Sequence, residues 1–240
     1  MLELRDVTKT YAGHGAALRD VSLRIEQGQT LALVGPSGCG KTTALRLMNR
    51  LIEPDSGELF WDGTSLRDVD IIAHRRSCGY VIQDVGLLPH WTIAQNIATV
   101  PRLLEWDSRA IEQRVDELLH AVDLDVSLKA RRPAQLSGGQ RQRVGIARAL
   151  AAKPKLLLMD EPFGALDPLT RAKLRQLVQR IRKKEKLTCV LVTHDLQDAM
   201  RLADRIAVLR DGQVVHVGDT AELDACPDPW VREFLGAAAG

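Results

Sequence analysis

The stretch Gly35-Pro36-Ser37-Gly38-Cys39-Gly40-Lys41-Thr42 constrains this chain more than any other. It meets every fixed position of G-x-x-x-x-G-K-[ST]. Before it stands the continuous apolar run Thr30-Leu31-Ala32-Leu33-Val34, and after it a helical run from Thr43 to Leu51. A short apolar run ending at glycine reads as a strand buried on both faces. Strand, glycine loop and helix in that order demand an α/β layer structure. Glycines let backbone N–H groups converge on phosphate oxygens, and the helix N-terminus adds its positive dipole end. Lys41 is expected to reach β- and γ-phosphates, and the Thr42 hydroxyl to ligate Mg²⁺. With Thr43, these residues form the candidate nucleotide-binding loop. A tight glycine turn carrying a chance lysine would not explain why motif and context coincide.

Two further runs resemble the first strand: Lys155-Leu156-Leu157-Leu158-Met159 and Thr188-Cys189-Val190-Leu191-Val192. Helical patterns separate them, which predicts a mainly parallel sheet with crossover helices. The N-terminus differs. Leu2, Leu4 and Val7 lie in a short strand-like segment, and Val21, Leu23 and Ile25 alternate with polar residues. That period of two predicts an antiparallel β lobe. Between Gln83 and Leu136 the strand signal fades, and Ile111, Val115, Leu118, Leu119 and Val122 recur at helical spacing. The expected organisation is one domain over 1–240, with 1–83 and 137–240 as catalytic α/β core and about 84–136 as an inserted helical subdomain. Asp211-Gly212 between apolar runs predicts a hairpin. A closing helix is expected from Asp228 through Trp230 and Phe234, and a frayed tail from Gly236 to Gly240.

Composition excludes several classes. The 240 residues are 45% hydrophobic and 27% charged, the profile of a globular chain. A formal net charge of +2 gives no electrostatic footprint for nucleic acid. The basic run Arg182-Lys183-Lys184-Glu185-Lys186 reads as a solvated helix C-terminus. The four cysteines show no C-x-x-C spacing, so neither a zinc site nor a disulfide framework is indicated. Cys39, Cys78 and Cys189 read as reduced thiols of a cytosolic protein. No run approaches the ~20 apolar residues that span a bilayer, and the first residues have no secretory pattern.

Leu156-Leu157-Leu158-Met159-Asp160-Glu161 places two carboxylates at the end of a buried strand, where open α/β sheets bind ligands. Asp160 is placed to hold Mg²⁺ through water, and Glu161 to act on an attacking water. A second glycine motif, Leu136-Ser137-Gly138-Gly139-Gln140, opens a helical run from Arg141 to Leu150. It too suits an anion. For this motif by itself, a capped helix start with Ser137 as N-cap is the favoured physical reading.

Taken together, these pieces resemble the ATPase subunit of an ABC transporter over nearly the full chain. Tyr11 stands where the family's adenine-stacking aromatic lies. Gln83 ends the strand-like Gly79-Tyr80-Val81-Ile82, as the family's Q-loop glutamine does. Leu136 to Gln140 match the LSGGQ signature, Asp160 and Glu161 the Walker B acids, and Ala165-Leu166-Asp167 the D-loop. His194, after Leu191-Val192-Thr193, matches the switch histidine. The resemblance implies two copies facing head to tail, each ATP held between the P-loop of one and the signature of the other. Ser137, Gly138, Gly139 and Gln140 would then meet the partner's γ-phosphate. Gln83 would touch Mg²⁺ and the water, and His194 would hold the γ-phosphate and the water with Glu161.

Within the family, residues 48–54, 87–93 and 96–106 are similar to the quaternary-amine uptake branch, importers of glycine betaine, choline and carnitine. That resemblance implies transmembrane permease subunits, an extracytoplasmic substrate-binding protein, and a place at the cytoplasmic face of the inner membrane. An exporter cassette would share every catalytic residue, and only these stretches separate the two. Leu87, Leu88, Trp91 and Ile93 form an apolar cluster that reads either as core of the helical lobe or as a groove for a permease helix. Many cassettes of this branch continue into paired CBS modules. This chain stops at Gly240, so no C-terminal regulatory domain is expected.

Overall fold

A computed structural model describes residues 1–240 except 14, 165, 221–225 and 238–240. It divides into two compact units, one formed by 1–75 with 187–240 and the other by 76–186.

In the first unit, β1 (Leu2–Tyr11) and β2 (Gly15–Ile25) pair antiparallel, Leu2 opposite Ile25 and Leu4 opposite Leu23. Val21, Leu23 and Ile25 turn inward, as the period-two pattern requires, and an irregularity at Asp20 (φ 49°) brings Leu18 inward out of that phase. β3 (Thr30–Val34) is buried at every residue. Behind it α1 (Lys41–Met48) ends in a Schellman closure. Arg50, at φ 49°, donates its N–H to the Leu47 carbonyl while Leu51 donates to Arg46. The helix therefore stops short of Leu51, where hydrophobic period alone would end it.

The antiparallel sheet is completed by β4 (Ser56–Trp61) and β5 (Thr64–Ser65), in the order β2-β1-β4-β5. The chain leaves this unit within α2 (Ile71–Ser77).

It returns as β8 (Thr188–Val192), then α8 (Leu196–Leu202), β9 (Arg205–Arg210) and β10 (Gln213–Asp219). β3 lies between β8 and β9 and runs parallel to both. Burial on both faces is why its sequence is apolar after Thr30. β10 turns back antiparallel on β9 through Asp211 (φ 49°) and Gly212 (φ 81°), the left-handed pair of a tight hairpin. The closing helix α9 (Pro229–Ala237) starts under an Asp228 cap, whose carboxylate accepts the N–H groups of Trp230 and Val231. Val231 joins Ala32, Val34, Leu196, Ile206 and Val208 in one core cluster. Each Val, Leu or Ile among them, fully buried, contributes about 1.5–3 kcal/mol.

In the second unit, β6 (Cys78–Val81) and β7 (Leu156–Asp160) pair in parallel. Between them come α3 (Ile93–Ile97), α4 (Thr99–Leu103), α5 (Ser108–Ala121) and α6 (Gly138–Leu150), with 3-10 turns at Val126–Ala130 and Pro133–Gln135. The stretch 84–136 holds helices and turns and no strand among its residues. Val115, Leu118 and Leu119 are the buried stripe of α5, and Asp107 caps its start. α6 is the hub: α3, α5 and β6 all pack on it. α7 (Pro168–Glu185) ends in Arg182, Lys183 and Lys184, and Lys186 closes it at φ 50°. Cations there meet the negative end of the helix dipole, as the sequence predicts.

Ile93 is fully buried, Leu87 half-buried, and Leu88 and Trp91 remain 40% and 38% exposed, so the apolar cluster divides between core and surface. All four cysteines are free thiols. Among the described residues no helix is long and apolar enough to cross a membrane. Of the expected frayed tail, 238–240 lie outside the described residues, while Gly236 and Ala237 belong to α9.

Candidate functional site

The first unit carries the glycine loop at the carboxyl end of β3. Its glycines have separate reasons. A Cβ at Gly35 (φ 147°) would lie 2.1 Å from the Leu209 carbonyl oxygen, and one at Gly40 (φ 105°) 2.3 Å from that of Ala17. Backbone passes so close at both points that no side chain fits. Gly38, at φ 80°, has nothing within 4 Å of where its Cβ would be. It keeps the loop rim open, with Pro36 and Ser37 beside it.

Lys41 is 7% exposed, and its ammonium donates to the carbonyls of Gly35 and Pro36, both at 2.8 Å. Cys39 Sγ stands 3.6 Å away. Burial pushes the Cys39 thiol above its ordinary pKa, against the pull of Lys41, so it stays neutral beside the ammonium. None of these partners is an anion. A buried charge held only by neutral groups is costly, and an anion such as phosphate would complement it. Gly40 is the N-cap of α1 and has no side chain to occupy the N–H groups of the first turn, where Thr42 and Thr43 follow. Those groups and the dipole favour an anion at the same place.

Two more candidates lie on this unit. His194 is exposed on a short turn between β8 and α8. The turn is braced on both sides. Thr193 donates its N–H to the Leu33 carbonyl, tying it to the strand that feeds the loop. The Thr193 hydroxyl accepts from the Asp195 N–H at 3.0 Å, and Asp195 caps α8. Tyr11 ends β1 half-buried, with its hydroxyl enclosed and without a hydrogen-bond partner.

The second unit carries the acids and the signature. Val81 sits beside Met159 in the parallel register, so Gln83 and Asp160-Glu161 leave β6 and β7 at the same end. Asp160 is 5% exposed. Glu161 is half-buried at φ 45°, a left-handed conformation that costs a non-glycine residue about 1–3 kcal/mol. Gln83 is exposed in the turn after β6.

Ser137 caps α6 in a reciprocal box: its hydroxyl accepts the Gln140 N–H at 3.2 Å, and Gln140 Oε1 accepts the Ser137 N–H at 2.9 Å. Only acceptor capacity is used. The Ser137 O–H, the Gln140 amide N–H₂ and the N–H groups of Gly138 and Gly139, which helix geometry leaves without an intrahelical partner, stay available as donors. The cap reading and the anion reading are therefore compatible. These four residues line a cleft of about 520 Å³ together with Leu166 and Asp167. A Cβ at Gly139 would lie 2.7 Å from Thr170 Cγ2, so glycine lets the starts of α6 and α7 approach. Asp167 caps α7 through the Thr170 N–H at 3.0 Å, and hydrogen bonds from Thr170 hold its carboxyl below the usual range. Ala165 of the same motif lies outside the described residues.

Sequence reading missed three residues of α6. Gln142, 6% exposed, donates to the Pro162 carbonyl at 2.6 Å and so fixes the chain just past Glu161. Arg148 reaches the carbonyls of Val85 and Gly86, and Gly145 lies under Val85. A buried glutamine on an otherwise apolar helix face was the available signal.

The chain matches the family described as ABC transporter over residues 18–164. It is 49% identical over 237 residues to the choline transport ATP-binding protein OpuBA of Bacillus subtilis (strain 168), covering 98% of this chain and 62% of that protein. It is 47% identical to the glycine betaine uptake system ATP-binding protein YehX of Escherichia coli (strain K12), covering 98% of this chain and 77% of that one. The chain thus spans about 62% of the length of some curated relatives. Among solved structures, the ATP-binding cassette MJ0796, dimeric in a post-hydrolysis state bound to ADP and Pi, superposes with a TM-score of 0.83 at 36% identity, over 92% of this chain and 99% of that one. Mixed α/β architecture, motif order and these likenesses agree: the chain belongs to the ABC transporter family.

Proposed function

We propose that this chain is the ATP-hydrolysing subunit of an importer for small quaternary amines such as glycine betaine, choline or carnitine, and that it works as a pair of identical copies. One observation carries the catalytic part: a single chain holds two helix starts suited to anions, α1 beneath the glycine loop and α6 behind Ser137. One nucleotide per chain needs only one of them, so the second is left to serve a partner's nucleotide. The dimeric state of the solved cassette supports the pairing. The names of relatives at 47–49% identity support the cargo class.

In this reading Lys41 and the N–H groups of 38–43 hold the β- and γ-phosphates. Ser137, Gly138, Gly139 and Gln140 close on the γ-phosphate from the partner, and Tyr11 stacks on the base. Asp167 shapes the signature cleft through its cap on α7. The Thr42 hydroxyl, the Asp160 carboxylate and the Gln83 amide oxygen are hard oxygen donors, few in number, the set Mg²⁺ accepts when phosphate and water complete its shell. Held by such groups, Mg²⁺ would supply positive charge to neutralise the transferring phosphoryl oxygens. Glu161 takes a proton from, or polarises, the attacking water, and His194 donates to the γ-phosphate. The exposed Leu88 and Trp91, a few residues past Gln83, offer an apolar seat for a permease helix. The chain then sits at the cytoplasmic face of the membrane, and a substrate-binding protein delivers cargo on the far side.

The test is uptake in the host of origin under osmotic stress. Lys41→Ala should abolish ATP binding by the purified chain and ATP-driven accumulation of at least one labelled quaternary amine. Unchanged binding overturns the loop assignment. Lost binding with undiminished uptake of all three amines overturns the cargo class.

A further inference from the structure

The turn after β6 holds a conformation its sequence does not favour. Val85 has φ 58° and Gly86 φ 55°. A β-branched residue in the left-handed region is a rare outlier that persists only where the surroundings impose it. Here the surroundings are α6. Successive left-handed residues aim their carbonyls the same way, and the Arg148 guanidinium takes both, Val85 O at 2.5 Å and Gly86 O at 2.6 Å. A Cβ at Gly145, one helical turn earlier on α6, would lie 2.7 Å from Val85 Cγ1, so glycine is what lets the turn seat. Arg148 is half-buried and its hydrogen bonds go to no carboxylate. Desolvating a guanidinium to hold two carbonyls adds little net stability, yet the planar fork fixes geometry well. Other side chains of α6 act alike: Arg141 donates to Leu136 O, Gln142 to Pro162 O, and Arg143 to Val122 O.

We propose that Arg148, with Gly145, is a positioning residue that clamps the 82–86 turn to α6, so that Gln83 and the signature at the start of α6 move as one rigid piece. The clamp rests on the nucleotide reading only for its consequence. It couples whatever displaces Gln83 to the donors of Ser137, Gly138 and Gly139, about 15 Å away along a helix of this length.

The test uses the full chain with Arg148→Ala, Arg148→Lys, Gly145→Ala and Gln83→Ala. Amide hydrogen exchange at 83–87 should rise at least tenfold in Arg148→Ala, less in Arg148→Lys, which can hold one carbonyl, and should rise in Gly145→Ala although alanine favours helix. Exchange in α5 should not change. ATP affinity and KM should stay within twofold while kcat falls at least tenfold and the Mg²⁺ concentration for half-maximal rate rises. The Arg148→Ala/Gln83→Ala double variant should be no slower than Gln83→Ala. Unchanged exchange at 83–87, or kinetic losses that multiply, overturns the clamp. Full activity of Gln83→Ala with faster exchange in Arg148→Ala instead removes the sensor role of Gln83 and leaves the clamp standing.

Discussion

The ammonium of Lys41 is held by carbonyls, and carbonyls can be aimed only if the loop bends where L side chains cannot follow. Gly35 and Gly40 supply those bends, each with backbone oxygen inside 2.5 Å of the missing Cβ. Gly38 also has a positive φ but open space around it. Alanine at 38 therefore meets only the left-handed conformational cost, about 1–2 kcal/mol. Alanine at 40 meets that cost and an overlap with Ala17 O and Leu18 Cδ2 that the backbone must move to relieve. Thermal melting should place Gly40→Ala well below Gly38→Ala, and both below the parent. Equal midpoints would show that the Ala17–Gly40 approach carries no weight in the fold.

At the scale of elements, α6 raises the question whether Ser137 is a cap or a ligand. The two roles separate with one substitution. Aspartate caps a helix as well as serine does, but it carries a negative charge where a γ-phosphate would arrive. Ser137→Asp should hold the melting behaviour near the parent while hydrolysis is lost. Ser137→Ala should lower stability by about 1 kcal/mol, the usual worth of a cap. An active Ser137→Asp variant would leave the serine a cap and nothing more. The same helix shows where sequence reading stops. β3, β7 and β8 are visible in sequence because burial on both faces confines polar residues to the strand ends, Thr30, Asp160 and Thr188. β4 is not, since Ser56, Glu58 and Trp61 face outward to varying degrees and only Leu59 is fully buried. The glycine loop, the acids and the signature are readable because their chemistry fixes both residue type and spacing. Gln142 and Arg148 are not, because their partners are carbonyls, which every residue possesses. A left-handed Val85 or Glu161 leaves no trace in composition at all.

At the scale of the whole molecule, the proposed cross-copy role of Ser137, Gly138, Gly139 and Gln140 would make pairing dependent on the nucleotide's third phosphate. Each charge-assisted hydrogen bond to it contributes about 1.5–3 kcal/mol. On that reading two symmetric sites would lose such bonds together on hydrolysis, enough to weaken the pair by orders of magnitude in dissociation constant. Glu161→Gln removes the carboxylate proposed as the base but keeps size and hydrogen bonding, so ATP with Mg²⁺ should trap a dimer by size exclusion while ADP leaves monomer. That result alone does not say which surface faces the partner. Adding Ser137→Arg to Glu161→Gln does. The long cation fills the signature cleft but leaves the glycine loop on the other unit intact. The double variant should bind ATP with the affinity of Glu161→Gln and stay monomeric at concentrations where Glu161→Gln is fully paired. A dimer that forms regardless would mean that the copies meet through some other face, and that the second anion-suited helix start serves its own chain.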